Sequence, residues 1–305
     1  MNWNLSDVKT LAYKTIIVTG GNSGLGYESV KMFASKDAEI IMASRSIERG
    51  NQAVEEIKKD FPNANITVME LDLADRESIA KFSDSFLKKY KKLNILLNNA
   101  GIMTVPYGVT KDGLEQQTGV NHFGHFLLTS LLFDVIKNTP SSRIVNVSSI
   151  AHRGGTMNFD NLLYQDGVGY NKVKAYSRSK LENLLFTYEL DRLVQKAGYD
   201  IKVLVAHPGV AKTNLGRHIK DSKMDEFIKH FQKYFSHEAK FGALPQVRAC
   251  LDESAKSGDF YGPKGLMGFK GAPKLAKSNR KSKNKSLANR LWVYSEQVWD
   301  IQFEV

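Results

Sequence analysis

Short apolar runs and amphipathic stretches alternate along the first two thirds of the chain. Thr15 to Thr19, Glu39 to Ala43, Ile66 to Leu71, Leu93 to Leu97, Arg143 to Ser148 and Ile201 to Ala206 read as strands, each brief and rich in Val, Ile or Leu. Between them helical spacing is expected over 25–36, 47–60, 75–90, 113–137 and 172–197. In the second of these Ala53, Val54 and Ile57 share one face, while Glu55, Glu56, Lys58 and Lys59 lie elsewhere. Six strands separated by helices predict an α/β fold with a parallel sheet covered on both faces.

Past Ala206 the alternation loosens. Helices are expected over 217–235 and 237–254, then a short strand near Asp259 to Tyr261 and a last amphipathic helix from Leu287 to about Trp299. No repeat or linker divides the chain. The expectation is a single domain over 1–305, with a core at 10–213, substrate-lid helices at 214–258, and a basic loop with the C-terminal helix at 264–305.

Composition adds few constraints. With 42% hydrophobic and 25% charged residues, the 305-residue chain builds a core without disulfides or metals. Cys250 has no second cysteine to pair with, which points to a reducing compartment. Met1 to Thr10 lacks an apolar segment of signal-peptide length. The best apolar run, Phe126 to Phe133, is interrupted by Thr129 and Ser130 and falls short of the ~20 residues that span a bilayer. A cytoplasmic protein with no integral membrane segment is expected. The formal charge is +11, of which nine units come from Lys and Arg in 264–290, a segment without Asp or Glu. Its Gly, Ser, Asn and Pro content reads as a mobile, solvated loop, with nucleic acid or an acidic membrane as alternatives. No aromatic residue interleaves the basic run from 274 to 285, which argues against nucleic acid.

Candidate chemistry begins directly after the first strand, in Thr19-Gly20-Gly21-Asn22-Ser23-Gly24-Leu25-Gly26. Such a turn lets backbone N–H groups approach a pyrophosphate at a helix N-terminus, although glycines used only for strand-to-helix packing would read the same. At the end of the second strand, Ala43-Ser44-Arg45-Ser46 offers no carboxylate for a ribose 2′-hydroxyl. Arg45 would instead hold a 2′-phosphate, favouring NADP(H), with NAD(H) as the alternative. Asp72, before Leu73, sits where an adenine edge would lie or caps the next helix, for which Asp75 is the better-placed cap. Asn98-Asn99-Ala100-Gly101 suits a backbone passing close to a cofactor, and equally an ordinary turn.

Tyr176 and Lys180, four apart in an expected helix, share a face. A neighbouring ammonium would favour the phenolate and lower the tyrosine pKa, suiting Tyr176 to proton transfer. Val147-Ser148-Ser149-Ile150 delivers hydroxyls to the same sheet edge.

In the order of these motifs, joined by Val120-Asn121-His122-Phe123-Gly124-His125-Phe126 and His207-Pro208-Gly209, the chain resembles the short-chain dehydrogenase/reductase family from about Lys14 to Thr213. Ser179 to Phe186 and Ala288 to Trp292 resemble its retinol-dehydrogenase-like group. The resemblance implies a Rossmann-type doubly wound sheet and hydride transfer between a nicotinamide cofactor and a carbonyl/alcohol centre. It implies Ser149 as the catalytic serine, with Ser148 the other candidate, and Tyr176 as acid/base. Lys180 would bind the nicotinamide ribose, and Asn121 would hold a water. Pro208, Gly209 and Thr213 would line the carboxamide end. The 27 positions from Ser149 to Tyr176 exceed the family's usual gap because of an insert, His152 to Lys174. The helices at 113–137 and 172–197 often form the family's dimer face, so a homodimer is one reading and a cover formed by the basic tail the other, and the oligomeric state stays open. A non-catalytic NADP(H)-binding sensor or interaction protein is the rival reading.

His122 and His125 lack companions for a metal site and read as structural or surface residues, and His207 as packing. His152 follows the serine closely enough to touch a substrate. Met157, Phe159, Leu162 and Tyr170 of the insert, with Leu215, Met224, Phe227, Phe231 and Tyr234 of the lid, would line a pocket for a small hydrophobic or aromatic aldehyde or ketone.

Overall fold

A computed structural model describes residues 3–210 and 238–305 of the chain. Seven parallel strands, β1 (Thr15–Thr19), β2 (Glu39–Ser44), β3 (Ile66–Glu70), β4 (Ile95–Asn98), β5 (Ser142–Val147), β6 (Ile201–Ala206) and β7 (Phe260–Pro263), form the sheet with an antiparallel edge strand, β8 (Pro273–Leu275). The order is β3-β2-β1-β4-β5-β6-β7-β8. The chain winds outward from β1 in one direction and from β4 in the other, so the doubly wound sheet expected from sequence is present. The switch point between β1 and β4 is where open sheets of this kind leave a crevice at their carboxyl ends.

Period-2 alternation within each strand explains the two cores. Ile17, Ile41, Leu96, Ile144 and Val203 face one layer, made by α3 (Arg76–Lys89), α4 (Gly124–Lys137), α5 (Lys172–Ala197) and α7 (Lys285–Trp299). Their neighbours Ile16, Ile40, Leu97, Val145 and Leu204 face the other, made by α1 (Gly24–Ala34), α2 (Ile47–Asp60) and α6 (Ala239–Leu251). The helices start as capping chemistry dictates. Ser46 accepts from Arg49 N, Asp75 from Glu77 N and Ser78 N, and Asn171 from Val173 N and Lys174 N. Gly198, at φ 75°, closes α5 in the left-handed conformation.

Three expectations change. Residues 238–258 of the expected lid do not stand over a site, because Ala243, Val247 and Cys250 are buried and α6 packs beside α1 as part of the core. Residues 214–237, with Leu215, Met224, Phe227, Phe231 and Tyr234, lie outside the described residues, as does Thr213. The basic segment is not a free loop. It contains β8, and Ser278 accepts from the Tyr188 hydroxyl (2.9 Å) while Arg248 Nη1 donates to Pro273 O (2.7 Å). The apolar face of α4 and α5, where a homodimer was one reading, is covered from within by α7. Trp292 meets Phe126 edge-on at 5.1 Å, His122 bonds Ser295 (2.9 Å), and Trp299 Nε1 donates to Phe123 O (2.9 Å).

Trp299 joins α7 to this face by both apolar burial and a hydrogen bond. Trp299→Ala is therefore expected to destabilise the chain by about 3–5 kcal/mol, read as a lower midpoint in urea.

Candidate active site

The first strand ends in a turn that only glycine can make. Gly20 and Gly24 have φ of 65° and 55°, and a Cβ on Gly26 would collide with the Gly20 carbonyl and the Asn99 amide. Ser23 caps α1 without a side-chain bond, and the first helical bond runs from Tyr27 N to Ser23 O, leaving the amides of Gly24, Leu25 and Gly26 outside the helix ladder. Asn22 lies beside them, part-exposed. This is a backbone cradle for an anion at a helix N-terminus.

Thr19 anchors the cradle to the end of β4. Its Oγ1 accepts from Asn99 N and Ala100 N, both at 2.9 Å, and its carbonyl accepts from Asn99 Nδ2 (2.8 Å). The same hydroxyl meets His125 Nε2 at 2.9 Å. His125 Nδ1 faces the Asn121 carbonyl (3.1 Å), which can only accept, so Nδ1 carries the proton and Nε2 accepts from Thr19. From α6, Gln246 Nε2 donates to Asn99 Oδ1 and to Ser29 Oγ, each at 2.9 Å. Both residues support the anchor: His125, read from sequence as structural or surface, turns out to be the structural one, while Gln246 left no sign in the sequence.

Asn121 sits in a π-helical turn, Gly119–Phe123, just before α4. Its side chain accepts from Ile102 N (2.8 Å) and donates to Ile102 O (3.0 Å) and to Ser179 Oγ (2.9 Å). It thereby ties the chain after Gly101 to α5. A Cβ on Gly101 would lie 2.9 Å from Asn121 Oδ1 and 3.4 Å from Lys180 Nζ, so the bare backbone there keeps the approach to the lysine narrow but open.

Tyr176 and Lys180 do share a face of α5. Ser148 Oγ donates to Lys180 O (2.7 Å) and is buried, whereas Ser149 Oγ, which accepts from Ala151 N (3.2 Å), lies near enough to the Tyr176 phenol to favour its ionised form. The alternation of adjacent strand residues separates the two serines, and Ser149 is the one beside the tyrosine. Lys180 Nζ donates to Val147 O (3.1 Å) and lies 5.8 Å from the Tyr176 ring centroid. The expected lowering of the tyrosine pKa is not found. Burial pushes Tyr176 above its ordinary value and outweighs the nearby Ser149 hydroxyl, while burial pulls Lys180 down to about 8.

The remaining predicted residues gather along the same carboxyl edge. The Ser44 hydroxyl donates to Ser46 O (2.9 Å), and Arg45 is exposed beside it. Asp72 Oδ1 accepts from Ala74 N (3.0 Å), and Leu73 is buried against Gly124, where its carbonyl leaves no room for a Cβ. Asp75, not Asp72, caps α3. Pro208 and Gly209 follow β6, and the β7–β8 hairpin reaches over them through the bond from Val210 N to Phe269 O (2.8 Å). Gly209, at φ 73°, admits that approach.

Two readings of the insert need correction. Leu162 and Tyr170 do not line a pocket: Leu162 is in the core, and the Tyr170 hydroxyl donates to Val105 O (2.8 Å) and accepts from Gln117 Nε2 (2.8 Å). Met157 and Phe159 pack against the same core, with Arg290 over the Phe159 ring at 4.3 Å. His152 is buried, its Nδ1 on Ser149 O (2.6 Å), so it supports the serine's turn. His207 Nδ1 accepts from Gly209 N (3.2 Å), the packing role expected of it. His122 and His125 are buried and hydrogen-bonded, the structural rather than the surface role of the two expected for them, and no group of metal ligands occurs among the described residues. A separate cavity of about 410 Å³, lined by Tyr188, Asp191, Phe260 and Lys285 among others, lies three turns further along α5 and away from the tyrosine.

A glycine cradle at the switch point of a doubly wound sheet, with a serine, tyrosine and lysine converging beside it, defines a nucleotide-dependent oxidoreductase. Residues 14–224 match the short chain dehydrogenase family, and the chain belongs to that family, in its retinol-dehydrogenase-like subgroup. It is 38% identical to human retinol dehydrogenase 12 over 293 residues, covering 95% of this chain and 88% of that one. It is 44% identical to human retinol dehydrogenase 13 over 209 residues, covering 68% and 62%. A crystal structure of an uncharacterized protein from Mycobacterium paratuberculosis superposes over the whole of both chains with a TM-score of 0.82 at 35% identity. The Pseudomonas aeruginosa RhlG/NADP complex shares the fold at a TM-score of 0.62 and 18% identity, covering 82% of this chain and 94% of that one. The protein is a carbonyl/alcohol oxidoreductase that uses a nicotinamide dinucleotide. No helix among the described residues is long and apolar enough to cross a membrane.

Burial holds His122 and His207 to about 3 and His125 to about 4. They stay neutral in the fold while the unfolded chain takes up protons near pH 6.5. Their contribution to stability is complete above that value and lost as pH falls towards the folded values. Glu182, pushed up to about 8 by burial, and Glu115, raised in the same direction, oppose this slope, so the check is a difference. Between pH 7 and 5 the urea midpoint of His122→Gln is expected to fall less than the parent's, by the equivalent of about one proton.

Proposed function

We propose that the protein is an NADP(H)-dependent reductase of a hydrophobic or aromatic aldehyde or ketone, with Tyr176 as the proton donor. The observation that carries this reading is the buried Lys180 on the Tyr176 face of α5, its Nζ 5.8 Å from the tyrosine ring and beside the Gly101 backbone, with the Ser149 hydroxyl near the phenol. The cradle residues Gly20, Asn22, Ser23, Gly24, Leu25 and Gly26 would hold the pyrophosphate, and Ser44 with Arg45 the 2′-phosphate. Asp72 and Leu73 would flank the adenine, Asn99, Ala100 and Gly101 the ribose, and Pro208, Gly209 and Thr213 the carboxamide. Bound there, NADPH supplies the hydride.

The protein's own groups handle the oxygen. Ser149 donates a hydrogen bond to the substrate carbonyl and keeps it beside the phenol, and Tyr176 delivers the proton as charge develops on that oxygen. A phenol kept protonated by burial is suited to donation, the direction that reduction needs. Lys180, at about 8, lies close enough to neutrality to return a proton to Tyr176 after each cycle. Asn121 fixes the distance between the Gly101 backbone and α5, and so the lysine's position.

Tyr176→Phe is expected to lower kcat by about 10²–10⁴ on a panel of apolar aldehydes while NADPH binding, followed by fluorescence, is retained. Unchanged turnover would sink the role given to Tyr176, and no turnover by the parent on any carbonyl would favour a cofactor-binding sensor. Arg45 is exposed at the end of β2, so Arg45→Ala is expected to weaken NADPH by roughly tenfold or more and NADH by much less. Equal effects on the two dinucleotides would remove Arg45 from the 2′-phosphate.

A further inference from the structure

Ser149 and Tyr176 stand 27 positions apart, and the chain between them is built from short 3-10 turns, Ile150–Gly154, Phe159–Asn161 and Gln165–Gly167, and irregular backbone. The two groups that must meet sit at its ends. An excursion of that length does little by itself to hold them at a fixed separation. Arg178 lies on α5 between Tyr176 and Lys180, but its side chain leaves in the opposite direction, into the excursion, and is 6% exposed.

There the guanidinium is used by backbone carbonyls. Nε donates to Thr156 O (3.2 Å), and Nη1 donates to Asn161 O (2.9 Å) and to Leu162 O (2.7 Å). Cζ lies over the Tyr164 ring, 4.2 Å from its centroid. A planar fork carries its donors on separate nitrogens and so reaches carbonyls spread further apart than one ammonium can, and a buried cation without such acceptors would be costly. Next to these bonds Gly155 sits flush on α5, where a Cβ would come within 2.6 Å of Ser177 O and 2.8 Å of Leu181 Cβ.

We propose that Arg178 is a positioning residue: by gripping the middle of the excursion from within the Tyr176–Lys180 turn, it holds Ser149 against Tyr176. The proposal rests on the reading of Ser149 and Tyr176 as the reacting pair. A role in stability alone would lower every property of the protein together. A role through Ser149 has a distinct signature, because its effect disappears once the serine hydroxyl is gone.

The experiment is a double-mutant cycle on the aldehyde that the parent reduces fastest. Arg178→Ala is expected to lower kcat about tenfold or more with the NADPH Kd within about twofold, and to cost less than about twofold in a Ser149→Ala background. Guanidinium chloride, well below denaturing concentrations, is expected to restore part of the lost kcat, and sodium chloride at the same ionic strength is not. Should Arg178→Ala fail to fold, Arg178→Lys and Tyr164→Leu make the same comparison with the cation or the donors kept. Equal losses in both backgrounds, an unchanged kcat, or a matching loss of NADPH affinity would overturn the proposal. An unaffected Ser149→Ala single variant, or a parent that reduces no aldehyde, would overturn the catalytic reading itself and with it the role given to Arg178.

Discussion

The hydroxyl of Thr19 joins three pieces of chain that would otherwise be free to move apart. It accepts the two amides after β4 and donates to His125, which in turn holds the carbonyl of Asn121. All of these groups are buried or nearly so, and a buried polar group without a partner costs more than a typical hydrogen bond contributes. The glycine cradle, the Asn99–Gly101 backbone and the π-helical turn are therefore fixed as one unit. Asn121 passes that order on to α5 through Ser179, and so to Tyr176 and Lys180. The charge state of His125 matters here: a proton on Nε2 would leave Thr19 facing a donor, and burial keeps that proton off.

Desolvation sets the chemistry on the other side of the crevice. The same loss of water that raises the phenol lowers the ammonium, so among the described residues burial is the main cause that moves both Tyr176 and Lys180. Spacing alone suggested that the lysine would act on the tyrosine as a neighbouring cation. Instead the lysine is turned towards Val147 O, and the nearby Ser149 hydroxyl is what opposes burial at the phenol.

Much of the central fold was legible because the information is local. Six parallel strands left alternating or continuous apolar runs, their helices carried caps and amphipathic faces, and the glycines after β1 were required by positive φ. The alignment of predicted site residues along one edge followed from the strand ends. What sequence could not give depends on partners far along the chain. Leu162 looked available for substrate and is core, because α4, α5 and α7 come together around it. The basic segment looked solvated, yet Lys281 donates to Gly155 O and Asn279 to His152 O, so its polar residues hold the serine's turn in place. β8 has only three residues, too few for a periodic signal, and α6 was placed in a lid because nothing in its own pattern names the helix it packs against.

The cover that α7 lays over α4 and α5 also has a consequence for synthesis. α5 leaves the ribosome roughly 90 residues before α7 does, and α4 roughly 150, which at ~5–20 residues per second is a delay of about 5 to 30 seconds. Throughout that interval Phe126, Phe133 and Phe186 have no Trp292, Trp299 or Phe303 to cover them. The nascent chain thus carries an exposed aromatic face whose natural partner has not yet been made. A chaperone that shields such surfaces would have its work concentrated in this one window, late in translation and at a single place on the molecule.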